Sequence, residues 1–133
     1  MMKIISLNVR GLGGSNKRRY LKELIFKEHV GMVCIQETKC SEFGEENCFN
    51  LWGSSEMDWI ENGTINNASG IITLWRRSCF QLSSSVNGNN LSIIEGVCKV
   101  GDRVRVIIVN VYSLGSLKEK KVIWDEINAY RAS

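Results

Sequence analysis

The feature that most constrains this chain is its opening: an apolar run, a glycine-rich turn, an amphipathic stretch and a second apolar run, all within about forty residues. Residues 3–9 alternate and are partly β-branched, which predicts a strand ending at Gly11-Leu12-Gly13-Gly14. Ser15 or Asn16 is then placed to cap a helix. Its apolar residues Tyr20, Leu21, Leu24 and Ile25 recur at helical spacing, while Lys17, Arg18, Lys22 and Lys27 face outward. This helix is expected to end between His29 and Gly31. Met32-Val33-Cys34-Ile35 follows as a second strand that stops at Gln36-Glu37-Thr38. Strand, helix and strand in that order imply a right-handed crossover joining two parallel neighbours.

The remainder reads differently. Residues 40–68 look irregular, with Asn62-Gly63 as a turn and Trp52, Met57, Trp59 and Ile60 as their core contributors. Beyond them, residues 70–75 predict a strand. Residues 91–100 and 103–112 then predict two strands joined by the two-residue turn Gly101-Asp102. Ser83-Ser84-Ser85 reads as a loop. A last helix is expected from near Ser116, with Ile123, Trp124, Ile127 and Tyr130 on one face. The predicted architecture is mixed α/β (α+β): a parallel start, an antiparallel continuation, no internal repeat.

Composition narrows the class further. The 133 residues suit a single domain, and 44% hydrophobic with 23% charged residues is the balance of a globular protein. Five cysteines form no C-x-x-C pair, which argues against a zinc site or a disulfide framework and for a reducing compartment. No signal peptide or membrane-spanning run is evident, so the expectation is a soluble intracellular protein, with the nucleus open to it, and no membrane partner. The sequons at Asn62, Asn67 and Asn90 then carry no meaning. Proline is absent where average usage would give roughly six or seven, a sign of truncation or drift. The net charge of +3 gathers at Lys17-Arg18-Arg19, at Arg76-Arg77 and at Lys118 with Lys120-Lys121. Such clusters are either solvated faces or contacts for a phosphate backbone.

Parallel strands present functional side chains at their C-terminal ends, so Asn8 and Glu37 are expected to share one site, with Tyr112 brought to the same rim by the long hairpin. A carboxylate, an amide and a phenol suit a hard metal and a phosphate. Each also has a plainer reading: Glu37 as a solvated strand end, Asn8 as a partner for turn backbone, Tyr112 as a core residue with a wet hydroxyl.

Four segments together, Ser6-Leu7-Asn8-Val9-Arg10-Gly11, Cys34-Ile35-Gln36-Glu37-Thr38-Lys39, Ser69-Gly70-Ile71-Ile72-Thr73-Leu74-Trp75 and Val109-Asn110-Val111-Tyr112, resemble successive motifs of the endonuclease/exonuclease/phosphatase family. They are most similar to the endonuclease domains of plant-type non-LTR (LINE) retrotransposons. The resemblance implies a two-sheet sandwich flanked by helices and Mg²⁺-assisted hydrolysis of a DNA phosphodiester, with Mn²⁺ as a substitute. It implies that Glu37 holds the metal, that Asn8 belongs to the polar network around metal and phosphate, and that Tyr112 hydrogen-bonds the scissile phosphate. Three departures accompany it. Arg10 stands where many relatives carry aspartate, Ser113-Leu114 replaces the turn in which a proline usually follows the tyrosine, and no G-D-F-N-like or S-D-H motif occurs. The expectation is therefore an N-terminal portion of one such domain, inactive alone, with an incomplete sandwich that self-associates through an uncovered sheet face and binds DNA weakly through its basic clusters.

The single histidine, His29, is not a replacement base. About six residues at ~3.3 Å each put it roughly 20 Å from Glu37, at the opposite end of the second strand. Two rivals remain: a non-catalytic nucleic-acid-binding remnant, and a dinucleotide-binding unit suggested by Gly11-x-Gly13 but lacking the third glycine, since residue 16 is asparagine.

Overall fold

The computed structural model describes residues 2–40, 42–63 and 70–112. The predicted helix after Ser116, the basic cluster at 118–121, Ser69 and the Asn67 sequon lie outside the described residues.

The predicted opening is present. Strand β1 (Ile4–Asn8) leads through helix α1 (Ser15–Lys27) into strand β2 (Met32–Gln36), and β1 and β2 pair in parallel, Asn8 opposite Gln36. The cap of α1 is Gly14, which makes no side-chain bond, so neither Ser15 nor Asn16 serves as expected. Leu21 and Ile25 are buried, but Tyr20 is 62% exposed and does not belong to the core face. Leu12, in the turn before the helix, is wholly buried and plugs the space beneath α1. Gly11, at φ +102°, supplies the left-handed step that lets the chain turn toward it.

Residues 40–68 are not irregular. They contain a second helix, α2 (Glu45–Trp52), and a strand, β3 (Met57–Asn62). The helix is two turns long and capped by a glycine at φ +86° instead of by a side chain. The strand has partly buried residues on both faces, so neither element carries the periodicity that a sequence reading needs. Asn62 closes β3 and is not a free turn residue.

Strand β4 (Ile71–Arg76) lies antiparallel between β2 and β3, completing a four-stranded sheet in the order β1-β2-β4-β3. That antiparallel step removes the dinucleotide-binding alternative, which needs further parallel crossovers. A second sheet, β5-β6-β7, is formed by β5 (Phe80–Gly88), β6 (Leu91–Cys98) and β7 (Val104–Val111). Ser83-Ser84-Ser85 lies within β5, where an edge strand needs an apolar partner on one face only and a bulge between Leu82 and Ser84 absorbs one residue. The predicted hairpin is real, but its connection is five residues long: Cys98 pairs with Val104, leaving 99–103 as the loop.

Alternation divides the core in two. Odd-numbered residues of β2 and even-numbered ones of β4, Val33, Ile35, Ile72 and Leu74, pack against α1 and α2 with Trp52, Leu51 and Met57. The opposite face of the same sheet, Met32, Cys34 and Trp75, meets Phe80, Ile94 and Cys98 of the second sheet. Trp75 and Phe80 touch edge to face at 5.5 Å. The fold is thus a two-sheet sandwich with both described helices on the outer side of the mixed sheet. The second sheet covers β2, β4 and β3, but the inner side of β1 is left exposed, with Ile4 at 44%.

Candidate active site

One end of the sandwich collects the ends of both sheets. In the mixed sheet, β1 and β2 finish there at Asn8 and Gln36, and β3 finishes where β4 begins, Asn62 opposite Ile71. In the second sheet, β7 finishes opposite the start of β6, Val111 against Leu91. The crevice outside such strand ends is where an α/β sheet presents a ligand site.

The three predicted site residues all lie at this end. Asn8 is exposed at the tip of β1, and its Oδ1 accepts a hydrogen bond from the Arg10 amide at 3.2 Å. Glu37 follows β2 directly, in the left-handed region at φ +59°, which an L-residue adopts at a cost of about 1–2 kcal/mol. Its carbonyl accepts from Gly11 N at 2.7 Å, and Leu12 N donates to the next carbonyl, that of Thr38, at 2.9 Å. The turn after β1 is therefore stitched to the turn after β2. The Glu37 side chain is 17% exposed, with Lys39 Nζ 4.0 Å from Oε1. Tyr112 stands one residue past β7, half-buried, its amide donating to Asn90 O at 3.0 Å.

What locks these ends together is a pair of buried amides that the sequence reading passed over. Gln36 Nε2 donates to Asn110 Oδ1 at 2.8 Å, across the gap between the sheets, and to Ser6 Oγ at 3.0 Å. Asn110 Nδ2 donates in turn to Thr73 Oγ1 at 3.0 Å and to Ile72 O at 3.1 Å. Glu37 is the residue after Gln36, and Tyr112 is two after Asn110. Asn110 is 1% exposed, so this network fixes the register of one sheet on the other at the point where the site residues emerge. The available signal was a polar residue inside each apolar run, Gln36 after Ile35 and Asn110 between Val109 and Val111. A second amide bridge lies beside it, where Asn62 Nδ2 donates to Gly88 O and Leu91 O at 3.0 and 2.8 Å.

Gly70 closes the rim. Its carbonyl accepts from Thr38 N at 3.1 Å, its φ is +122°, and a Cβ there would stand 2.2 Å from Thr38 Oγ1. A close approach of this kind excludes every side chain.

Charge at this end is positive. Lys39 lies beside Glu37, Arg10 sits in the turn after β1, and Lys17 Nζ is held over that turn by Val9 O and Arg10 O at 2.7 and 3.1 Å. The Arg76-Arg77 cluster lies at the opposite end and is engaged there: Arg77 is paired with Asp58 at 3.1 Å, and Arg76 sits over the Trp52 ring. His29, too, is at the opposite end, at φ +51° just past the α1 cap residue Glu28. Glu61, at the end of β3, is spent on helix α2, accepting from the amides of Phe43 and Gly44. Two buried thiols are held neutral: burial pushes Cys34 up to about 11 and Cys48 up to about 12.

The donor set fits a hard divalent cation in part. Among the described residues no three His, Cys, Asp or Glu side chains gather into a metal site. Glu37 offers one water-accessible carboxylate, which is the mode in which Mg²⁺ is held when waters and substrate phosphates complete its shell.

No protein-family model and no curated protein matches this chain. Among solved structures, it is similar to AP endonuclease LMAP from Leishmania major, at 18% identity and a TM-score of 0.62, covering 85% of this chain and 40% of that one. It is likewise similar to the APE2 catalytic domain of Xenopus laevis, at 17% identity and a TM-score of 0.61, covering 90% of this chain and 47% of that one. The likeness is one of fold: the two-sheet sandwich with its outer helices is the architecture of these two structures over the aligned part. The chain spans less than half the length of either structure. No helix among the described residues is long and apolar enough to cross a membrane.

Proposed function

We propose that this chain carries the metal- and phosphate-holding part of a Mg²⁺-dependent DNA phosphodiesterase site, of the type seen in retrotransposon endonucleases, and that by itself it binds DNA without cutting it. The observation that carries the reading is the Gln36–Asn110 bond. It ties the residue before Glu37 to the strand end that bears Tyr112, so three residues distant in sequence share one cationic rim.

In this reading Glu37 holds the cation, with Mn²⁺ able to replace Mg²⁺. Asn8 and the Tyr112 hydroxyl hydrogen-bond phosphate oxygens. Arg10, where relatives often carry aspartate, contributes charge toward the phosphate and no metal ligand. A bound divalent ion would neutralise charge that develops on the phosphate and the leaving oxygen. Among the described residues neither the histidine nor an aspartate is placed to take the proton of the attacking water: His29 is a strand's length away, roughly 17 Å for five residues, and Asp58 and Asp102 lie toward the opposite end.

The test is a supercoiled-plasmid assay on purified chain with Mg²⁺ or Mn²⁺, run beside a duplex-binding titration. The expected result is salt-sensitive binding with no nicking above background. Metal-dependent nicking abolished by Glu37→Ala would retain the site and overturn the inactivity. Absence of both binding and nicking would sink the reading as a whole.

A further inference from the structure

Helices α1 and α2 run side by side in the same direction, both starting at the rim end, and a groove of about 310 Å³ lies between them. Its lining is one-sided in chemistry: Arg18, Arg19 and Lys22 from α1 face Asn47, Asn50 and Leu51 from α2. No acidic side chain lines it. Glu23 stands four residues after Arg19 and Glu46 four before Asn50, yet among the described residues neither forms an ion pair with a groove cation. Three cations brought together without a counter-charge repel one another, and an anion in the groove relieves that repulsion.

The groove is also built, not merely charged. The Arg18 guanidinium is fixed on three sides: Nε donates to Leu12 O at 2.7 Å, Nη1 reaches Asn47 Oδ1 at 3.4 Å, and the plane lies 5.0 Å from the centre of the Phe43 ring. A guanidinium already held in place loses little entropy on meeting a phosphate. Leu12 is itself bonded through its amide to Thr38 O, next to Glu37, so the groove is joined to the rim through one residue. Arg18 and Lys22 are four residues apart, about 6 Å along α1, so the groove meets an extended run of negative charge better than a single ion.

We infer that this inter-helix groove is a second contact for the phosphodiester backbone of a nucleic acid, taking the strand as it leaves the rim and passes over the helical layer. The inference rests on the proposed DNA-binding reading and adds to it where the duplex goes. Arg19 and Lys22 take the phosphates, Arg18 anchors the groove wall together with Asn47, whose Nδ2 donates to Phe43 O at 2.6 Å, and the Asn50 amide supplies a neutral hydrogen bond. The contact reads charge and not sequence.

The experiment is fluorescence anisotropy of the full chain with an end-labelled 20-base-pair DNA duplex at several KCl concentrations. Arg19→Gln/Lys22→Gln is compared with Lys99→Gln/Arg103→Gln, which removes two charges from the far end, and circular dichroism verifies that both variants fold. The groove pair is expected to weaken binding by roughly 3- to 10-fold and to lower the slope of log Kd against log[KCl] by about 2, while the far-end pair changes affinity less than twofold. Equal losses in the two variants, or an unchanged slope in the groove pair, would overturn the groove while leaving the rim reading intact. A wild-type chain that shows no salt-dependent binding would remove the rim reading and, with it, the ground on which the groove stands. Tripolyphosphate that displaces the duplex from the far-end variant but not from the groove variant supports the assignment, because it locates the competition.

Discussion

The two ends of the sandwich are built on opposite principles. At the rim, Arg10, Glu37, Lys39 and Asn90 all occupy the left-handed region without being glycine, and Gly11 and Gly70 join them. At the far end the corresponding residues are His29, just past the end of α1, Gly53 at the C-cap of α2 and Gly101 in a hairpin loop, all ordinary places for such a conformation. The rim is tied by buried amides crossing between sheets, whereas the far end is tied by exposed ion pairs, Lys3 with Glu28 and Arg77 with Asp58. Strain of about 1–3 kcal/mol per residue persists only where surrounding bonds over-determine the backbone, and it concentrates where side chains must be aimed. The contrast teaches that this fold spends its buried polar bonds on holding the rim, and leaves the other end to generic surface chemistry.

The largest test is Asn110→Leu. It deletes three hydrogen bonds and takes a buried partner from the Thr73 hydroxyl and the Ile72 carbonyl, while Gln36 keeps only Ser6 Oγ and Cys34 O, so stability in urea should fall by about 3 kcal/mol. A loss below about 1 kcal/mol would mean that packing, and not the amide bridge, sets the register. Gly70→Ala comes next, with an expected loss of about 2 kcal/mol from the clash with Thr38 and the unfavourable φ; a neutral thermal midpoint would show that the rim loop yields. Glu37→Gly works in the other direction. Relief of the left-handed strain, less the added freedom of the unfolded chain, should raise stability by about 0.5–1 kcal/mol while any effect of Mg²⁺ on DNA binding disappears. A destabilised variant would contradict the idea that this residue is held against its preference.

At the far end, Arg77→Ala should cost less than about 1 kcal/mol, because both partners are about half exposed, at 55% and 47%, and solvent screens the pair. A cost comparable to that of Asn110→Leu would erase the distinction between the ends. The smallest effect concerns thiols. Cys34 and Cys48 carry pKa values raised by burial to about 11 and about 12, above an ordinary value near 9. The stabilisation from keeping them neutral is complete below about pH 9 and is lost as pH rises through 9 toward 11 and 12. At pH 8 both should therefore resist iodoacetamide in the folded chain, read by mass spectrometry, and react only after urea is added.

Local pattern sufficed for β1, α1, β2 and β4, because each pairs a clear periodicity with a turn signal at its end. It also put Asn8 and Glu37 at one end of the mixed sheet, since the C-terminal ends of parallel strands share an edge by geometry alone, whereas Tyr112 reaches that end on β7 of the other sheet. It failed for α2 and β3, where a glycine stands as cap and burial does not alternate, and for β5, whose serines face solvent while backbone pairing to β6 holds them in a strand. Residue types along the chain thus determined the order of the opening elements and which side chains emerge at their ends. Tertiary structure alone decided that Gln36 and Asn110, 74 residues apart, would meet. It also decided that Arg18 would face Asn47 across a groove and that Arg77 would be answered by Asp58. The physical reason is that a hydrogen bond or ion pair depends on distance in space, and no local periodicity encodes the packing of one sheet on another.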